Sequence, residues 1–115
     1  MAKFEKRLRG DFNEILTRIE QGVLRKNKSA SFEDGSDYSA DNVRCAVRVF
    51  ERYSMIGSNR VSLSITLMGR GDELFVSAIT SGGSQAVFFK INTIGEETFL
   101  EVVIDIVNDY IRNKC

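Results

Sequence analysis

The sequence predicts an α+β domain in the order β-α-β-β-β-β-β-α, a curved antiparallel sheet with two helices on one face. Three observations predict it. Between residues 43 and 92 apolar and polar residues alternate at period two, as in strands with one buried face. The connectors IGSN (56–59), GRGD (69–72) and SGGS (81–84) are too short for parallel crossovers, so neighbouring strands run antiparallel. Two other segments, 11–27 and 93–114, instead repeat their apolar residues every three or four positions, as helices do.

Taken in order, AKFEKRLR (2–9) places Ala2, Phe4 and Leu8 on one side and Lys3, Glu5, Arg7 and Arg9 on the other, with Lys6 breaking the apolar row. Gly10 interrupts, and Asp11 followed by Glu14 reads as a capping box. Phe12, Ile15, Leu16, Ile19 and Val23 then form one apolar stripe on a helix that fades by Lys26–Asn27. A short strand is predicted over 29–33, with a turn at Asp34–Gly35.

Val43, Cys45, Val47, Val49, Tyr53 and Met55 fall on odd positions, so 43–55 is a strand, its β-branched content deciding against a helix. RVSLSITLM (60–68), ELFVSAIT (73–80) and QAVFFKIN (85–92) continue the meander. TIGEETFLEVVIDIVNDYIRNK closes the chain as a helix, with Thr93 and Glu96 as a second capping box. Its apolar face, from Phe99 to Ile111, is wide enough to require a sheet beneath it. The element order resembles that of TATA-binding-protein-like and helix-grip folds.

A chain of 115 residues with 43% hydrophobic and 28% charged residues is a single domain, 1–115, with one core. Lys+Arg and Asp+Glu are both 16, which argues against nucleic acid and anionic membrane as partners. No apolar run spans a membrane, and the charged N-terminal stretch is not a signal peptide, so a cytoplasmic location is expected. The two cysteines, Cys45 and Cys115, sit in no metal-ligand spacing and imply no disulfide framework. Cys45, among valines, reads as a small buried hydrophobe. Histidine is absent, which removes the commonest general base and metal ligand.

The strings KFEKRLRGDF, VRVFERYSMIGSNRVSL and AITSGGSQAVFFKINTIGEETFL resemble a family of short bacterial proteins known only as a domain of unknown function. The resemblance runs nearly end to end. It implies an intracellular, single-domain protein and brings no activity, cofactor or catalytic residue.

The motifs that resemble chemical sites have simpler readings. Glu33, Asp34, Asp37 and Asp41 lack the spacing of a calcium loop and read as a solvated turn. SGGS leads into a predicted strand rather than a helix N-terminus, so it reads as a hairpin turn, not a phosphate loop. Arg70-Gly71-Asp72 is turn chemistry. Glu96 and Glu97 are explained by helix capping, and Ser62 and Ser64 have no histidine to activate them. No cofactor, metal or enzymatic activity is therefore expected.

There remains the second face of the sheet. If the odd residues of 43–55 and 60–68 face the helices, the reverse side displays Arg44, Arg48, Phe50 and Arg52, joined by Ser62, Ser64, Thr66 and Met68. Pairing adds Phe75, Ser77 and Ile79, then Phe88 and Lys90. Phenylalanines among arginines and hydroxyls suit burial against the same face of a second subunit, a homodimer. A stacking platform for single-stranded nucleic acid fits the residue types but not the net charge. The alternative is a small hydrophobic ligand held between the sheet and the C-terminal helix.

Overall fold

A computed structural model describes residues 1–54, 59–82 and 89–114. The predicted α+β class holds: one open five-stranded antiparallel sheet and two helices. The elements are β1 (Ala2–Arg9), α1 (Phe12–Lys26), β2 (Ala30–Ala40), β3 (Val43–Ser54), β4 (Asn59–Arg70), β5 (Glu73–Gly82) and α2 (Phe89–Lys114). Across the sheet the order is β1-β5-β4-β3-β2. The strands from β2 to β5 form a meander, and β1 returns to pair with β5, Ala2 opposite Thr80 and Leu8 opposite Leu74.

Helix α1 starts as its sequence dictates. The Asp11 carboxylate accepts the Glu14 amide at 2.8 Å, and the Asp11 amide donates to the Tyr110 hydroxyl at 2.9 Å, tying the helix start to α2. All five residues of the predicted stripe, Phe12, Ile15, Leu16, Ile19 and Val23, are buried. They meet Phe99, Leu100, Val103, Ile106, Val107 and Tyr110 of α2 over the inward residues of the sheet. On β4 those are Val61, Leu63, Ile65 and Leu67, and on β5 Leu74, Val76 and Ala78. Both helices therefore cover one face.

Three local expectations give way. Asp34–Gly35 is not a turn: β2 continues to Ala40, a bulge between Phe32 and Asp34 absorbs the irregularity, and the chain reverses at Asp41–Asn42. Asp41 takes the positive φ of 54° that this two-residue link needs. The second correction concerns the strand predicted over 85–92. Residues 89–92 form the first turn of α2, while 83–88 lie outside the described residues. Among the described residues both edges of β5 are taken, by β4 and β1, so 89–92 have no strand neighbour there. Thirdly, with α2 beginning at Phe89, Thr93 and Glu96 do not cap it. Glu96 is buried instead, where its carboxylate accepts the Gly82 amide at 2.5 Å and its backbone carbonyl accepts the Thr80 hydroxyl at 3.2 Å.

Candidate interaction surface

Register assigns every side chain to a face. Residues directly opposite in an antiparallel pair point the same way. Ala46 lies opposite Leu67, Arg48 opposite Ile65, Phe50 opposite Leu63 and Arg52 opposite Val61. Because those β4 residues are buried under the helices, the even positions of β3 face the helices too. Arg44, Arg48, Phe50 and Arg52 are therefore not on the reverse face, as the alternation alone suggested. Phe50 is fully buried and meets the Phe32 ring edge-on at 5.7 Å.

The arginines line the margin of the core and bury their stems while their heads find partners. Arg44 lies over the Phe12 ring at 4.1 Å, and Arg52 over the Phe99 ring at 4.6 Å. Arg52 also donates to the Asn27 side-chain oxygen at 2.8 Å, and the Asn27 amide nitrogen donates to the Val23 carbonyl at the end of α1. Arg48 holds the densest set. Its Nε donates to Glu20 at 2.6 Å, one terminal nitrogen to Asp37 at 3.0 Å, and the other to the carbonyls of Val47 and Ser36.

The hydrogen bond to Glu20 raises the Arg48 pKa. Burial works against that, and Asp37 adds to the rise. Burial alone lowers the pKa of Arg52. Gly35 leaves room for this arrangement: a Cβ there would lie 3.0 Å from the Val47 carbonyl oxygen and 3.1 Å from the Arg48 stem.

The reverse face is built from the residues that the alternation had placed inside. Reading across the sheet from β2 to β1, one row is Tyr38, Cys45, Met68, Phe75 and Arg7. The next is Ser36, Val47, Thr66, Ser77 and Glu5, followed by Asp34, Val49, Ser64, Ile79 and Lys3. Phe75 and Ile79 thus lie where the sequence reading put them, with Ser62, Ser64, Thr66 and Met68 beside them. Val43, Cys45, Val47 and Val49 replace the arginines. Phe88 lies outside the described residues, and Lys90 belongs to α2, not to a strand.

Among the described residues no element covers this face. Met68 is 46% exposed, Ile79 39%, Tyr53 53% and Tyr38 71%. The four odd positions from Val43 to Val49 are half-buried, sheltered by their sheet neighbours alone. Charge is confined to the margin, with Lys3, Glu5, Arg7 and Arg9 along β1, Arg70 and Glu73 at one end, and Glu51 and Arg60 at the other. A shallow depression at the Arg70–Glu73 end is lined by Arg7, Val43, Met68 and Phe75. Between α2 and the sheet the space is filled by Phe50, Leu63, Phe99, Val103 and Val107, each fully buried.

The model of one family, described as a family of unknown function (DUF6054), matches residues 1–111. The chain belongs to this family. The match covers every described element except the last turn of α2, so the sheet with one helix-free face lies within the DUF6054 region. Comparison with curated proteins and with solved structures gives no match. Among the described residues of this DUF6054 chain, no helix is long and apolar enough to cross a membrane.

Proposed function

We propose that this protein is a non-enzymatic interaction module of the cytoplasm that pairs with a second copy of itself through the helix-free face of its sheet. The observation that carries this reading is the composition of that face. Valines, Cys45, Met68, Phe75 and Ile79 share the middle with the small hydroxyls Ser62, Ser64, Thr66 and Ser77, and charges hold the rim, the arrangement of an uncharged, largely apolar interface core inside a charged border. Size agrees. Five strands about 4.8 Å apart with ladders of about ten residues present on the order of 800 Å², roughly what one partner contributes to a standard interface. A two-fold axis through the face would set the apolar rows against themselves, an isologous contact that closes at two copies.

The alternative, a small apolar ligand between the sheet and α2, has no comparable support, since large side chains already occupy that space.

Sedimentation equilibrium tests the proposal. The wild type is expected as a dimer and a Val47→Asp or Phe75→Asp variant as a folded monomer. A wild type that stays monomeric at high concentration, or a dimer indifferent to both substitutions, would defeat it.

A further inference from the structure

The two edges of the sheet differ in charge. β1 carries four cations against one anion, a net +3, whereas β2 carries Glu33, Asp34 and Asp37 and no cation, a net −3. Both are outermost strands: among the described residues nothing pairs with their outer edges. From Glu33 to Ala40 β2 is exposed on both faces as well; among the described residues β3 is its one strand neighbour, and Arg60 of β4 reaches Glu33 at 3.6 Å. An exposed strand edge is a row of unpaired N–H and C=O groups ready to accept another strand.

Like edges repel, since β2 against β2 sets carboxylates together and β1 against β1 sets cations together. Unlike edges fit. Run antiparallel, Lys3 falls opposite Asp37 and Lys6 opposite Asp34, with Arg7 beside Glu33 at the bulge.

The faces agree with that register. Lys3 stands on the helix-free face and Asp37 on the helix-bearing one, while Lys6 and Asp34 are the reverse. Opposed residues share a side only if the incoming copy is turned over. β1 and β2 run in the same direction within one sheet, so a turned-over copy is also the one whose β1 runs antiparallel to β2. Charge, direction and facing therefore select one arrangement.

We infer that β2 is a docking edge for β1 of a second copy, which extends the sheet by strand addition. This contact is independent of the helix-free face. It is heterologous, so it does not close at two copies but grows into open chains. It is also electrostatic, and weakens as salt shortens the screening length.

The test uses the full chain in wild-type form and in the Val47→Asp background, followed by sedimentation velocity. Species growing with concentration in low salt and lost in high salt are expected in both backgrounds. Two variants separate charge matching from general stickiness. Lys3→Glu/Lys6→Glu makes both edges acidic, and Asp34→Lys/Asp37→Lys makes both basic, so that in a mixture every opposed pair is unlike at both contacts. Each alone is expected to lose the growth and an equimolar mixture to regain it, with the β2 amides protected from hydrogen exchange only in the mixture. Absence of growth in the wild type, growth of either variant alone, or a mixture that stays dispersed would overturn the inference. Failure of the face contact alone would read differently: wild type and Val47→Asp would then sediment alike, each still growing through its edges.

Discussion

The Arg48 guanidinium and the Glu20 carboxylate meet at 2.6 Å and join β3 to α1 at the margin of the core. The Arg48 side chain keeps only 12% of its surface exposed, whereas Glu20 keeps 36%. Such a pair stands between a surface ion pair, worth about 0–1 kcal/mol, and a buried one, whose rupture costs about 3–5 kcal/mol.

Arg48→Met is therefore expected to cost roughly 1–3 kcal/mol in denaturant unfolding, more than Glu20→Gln, because Asp37 also loses its partner. A double-mutant cycle should return a coupling of about 1 kcal/mol between positions 20 and 48. The raised Arg48 pKa fixes the sign of any pH effect. A cation stabilised in the folded state contributes fully below its unfolded pKa, and the contribution fades only as pH climbs through the folded value. Arginine stays protonated far above neutral pH, and Arg48 is raised further, so the Arg48 side of the coupling should be the same at pH 7 and pH 10. Coupling absent from the cycle would mean that the pair does not hold α1 to the sheet.

Phe50 and Phe75 lie on opposite faces, and their truncations should separate stability from association. Phe50→Ala empties a fully buried site against Phe32 and is expected to cost about 3–5 kcal/mol. Phe75→Ala removes a half-buried ring from the helix-free face. It should cost the isolated chain about 1 kcal/mol or less, while loosening self-association. Calorimetry read beside sedimentation would show which face each ring serves, and equal losses of stability would contradict the register.

Gly69 of β4 lies against Phe12 of α1. A Cβ there would lie 2.8 Å from the Phe12 ring and 2.9 Å from a Leu74 methyl, and the Arg44 guanidinium lies over the same ring. Gly69→Ala should thus destabilise by about 1–3 kcal/mol through overpacking, despite lowering the entropy of the unfolded chain. A Gly69→Ala/Phe12→Leu pair should cost less than the two changes added separately. Strict additivity would show that position 69 tolerates a methyl group.

Much of the fold was legible in the sequence. The α1 stripe, the β4 alternation and the antiparallel pairing of β3, β4 and β5 each had one reading, and the structure keeps them. The face of β3 did not, because both of its sides look buriable: valines and a cysteine on one, arginines with Ala46 and Phe50 on the other. The deciding signal lay in the connector. Ser54 pairs with Asn59, so four residues intervene and odd positions of β3 must oppose even positions of β4. With Val61 to Leu67 inward, the valines of β3 could only point outward. The long α2 was obscured for a different reason. Residues 89–92 suit a strand by composition, and only the return of β1 to the edge of β5 denies them a neighbour. Asp34–Gly35 looked like a turn because its dipeptide is one, yet a bulge uses the same local freedom without reversing the chain.

The pairing of β1 with β5 also governs how the chain is made. Phe4 emerges from the ribosome early but finds Ala78 only after more than seventy further residues have been added. At about 5–20 residues per second, the nascent first strand waits several seconds with its apolar side chains in water. A partly synthesised chain can assemble the β2–β3–β4 hairpins early, each from neighbours in sequence, while the remaining edge of β5 stays open until β1 swings back. Translation speed through the β4–β5 region should therefore influence the yield of native protein more than speed through the first helix.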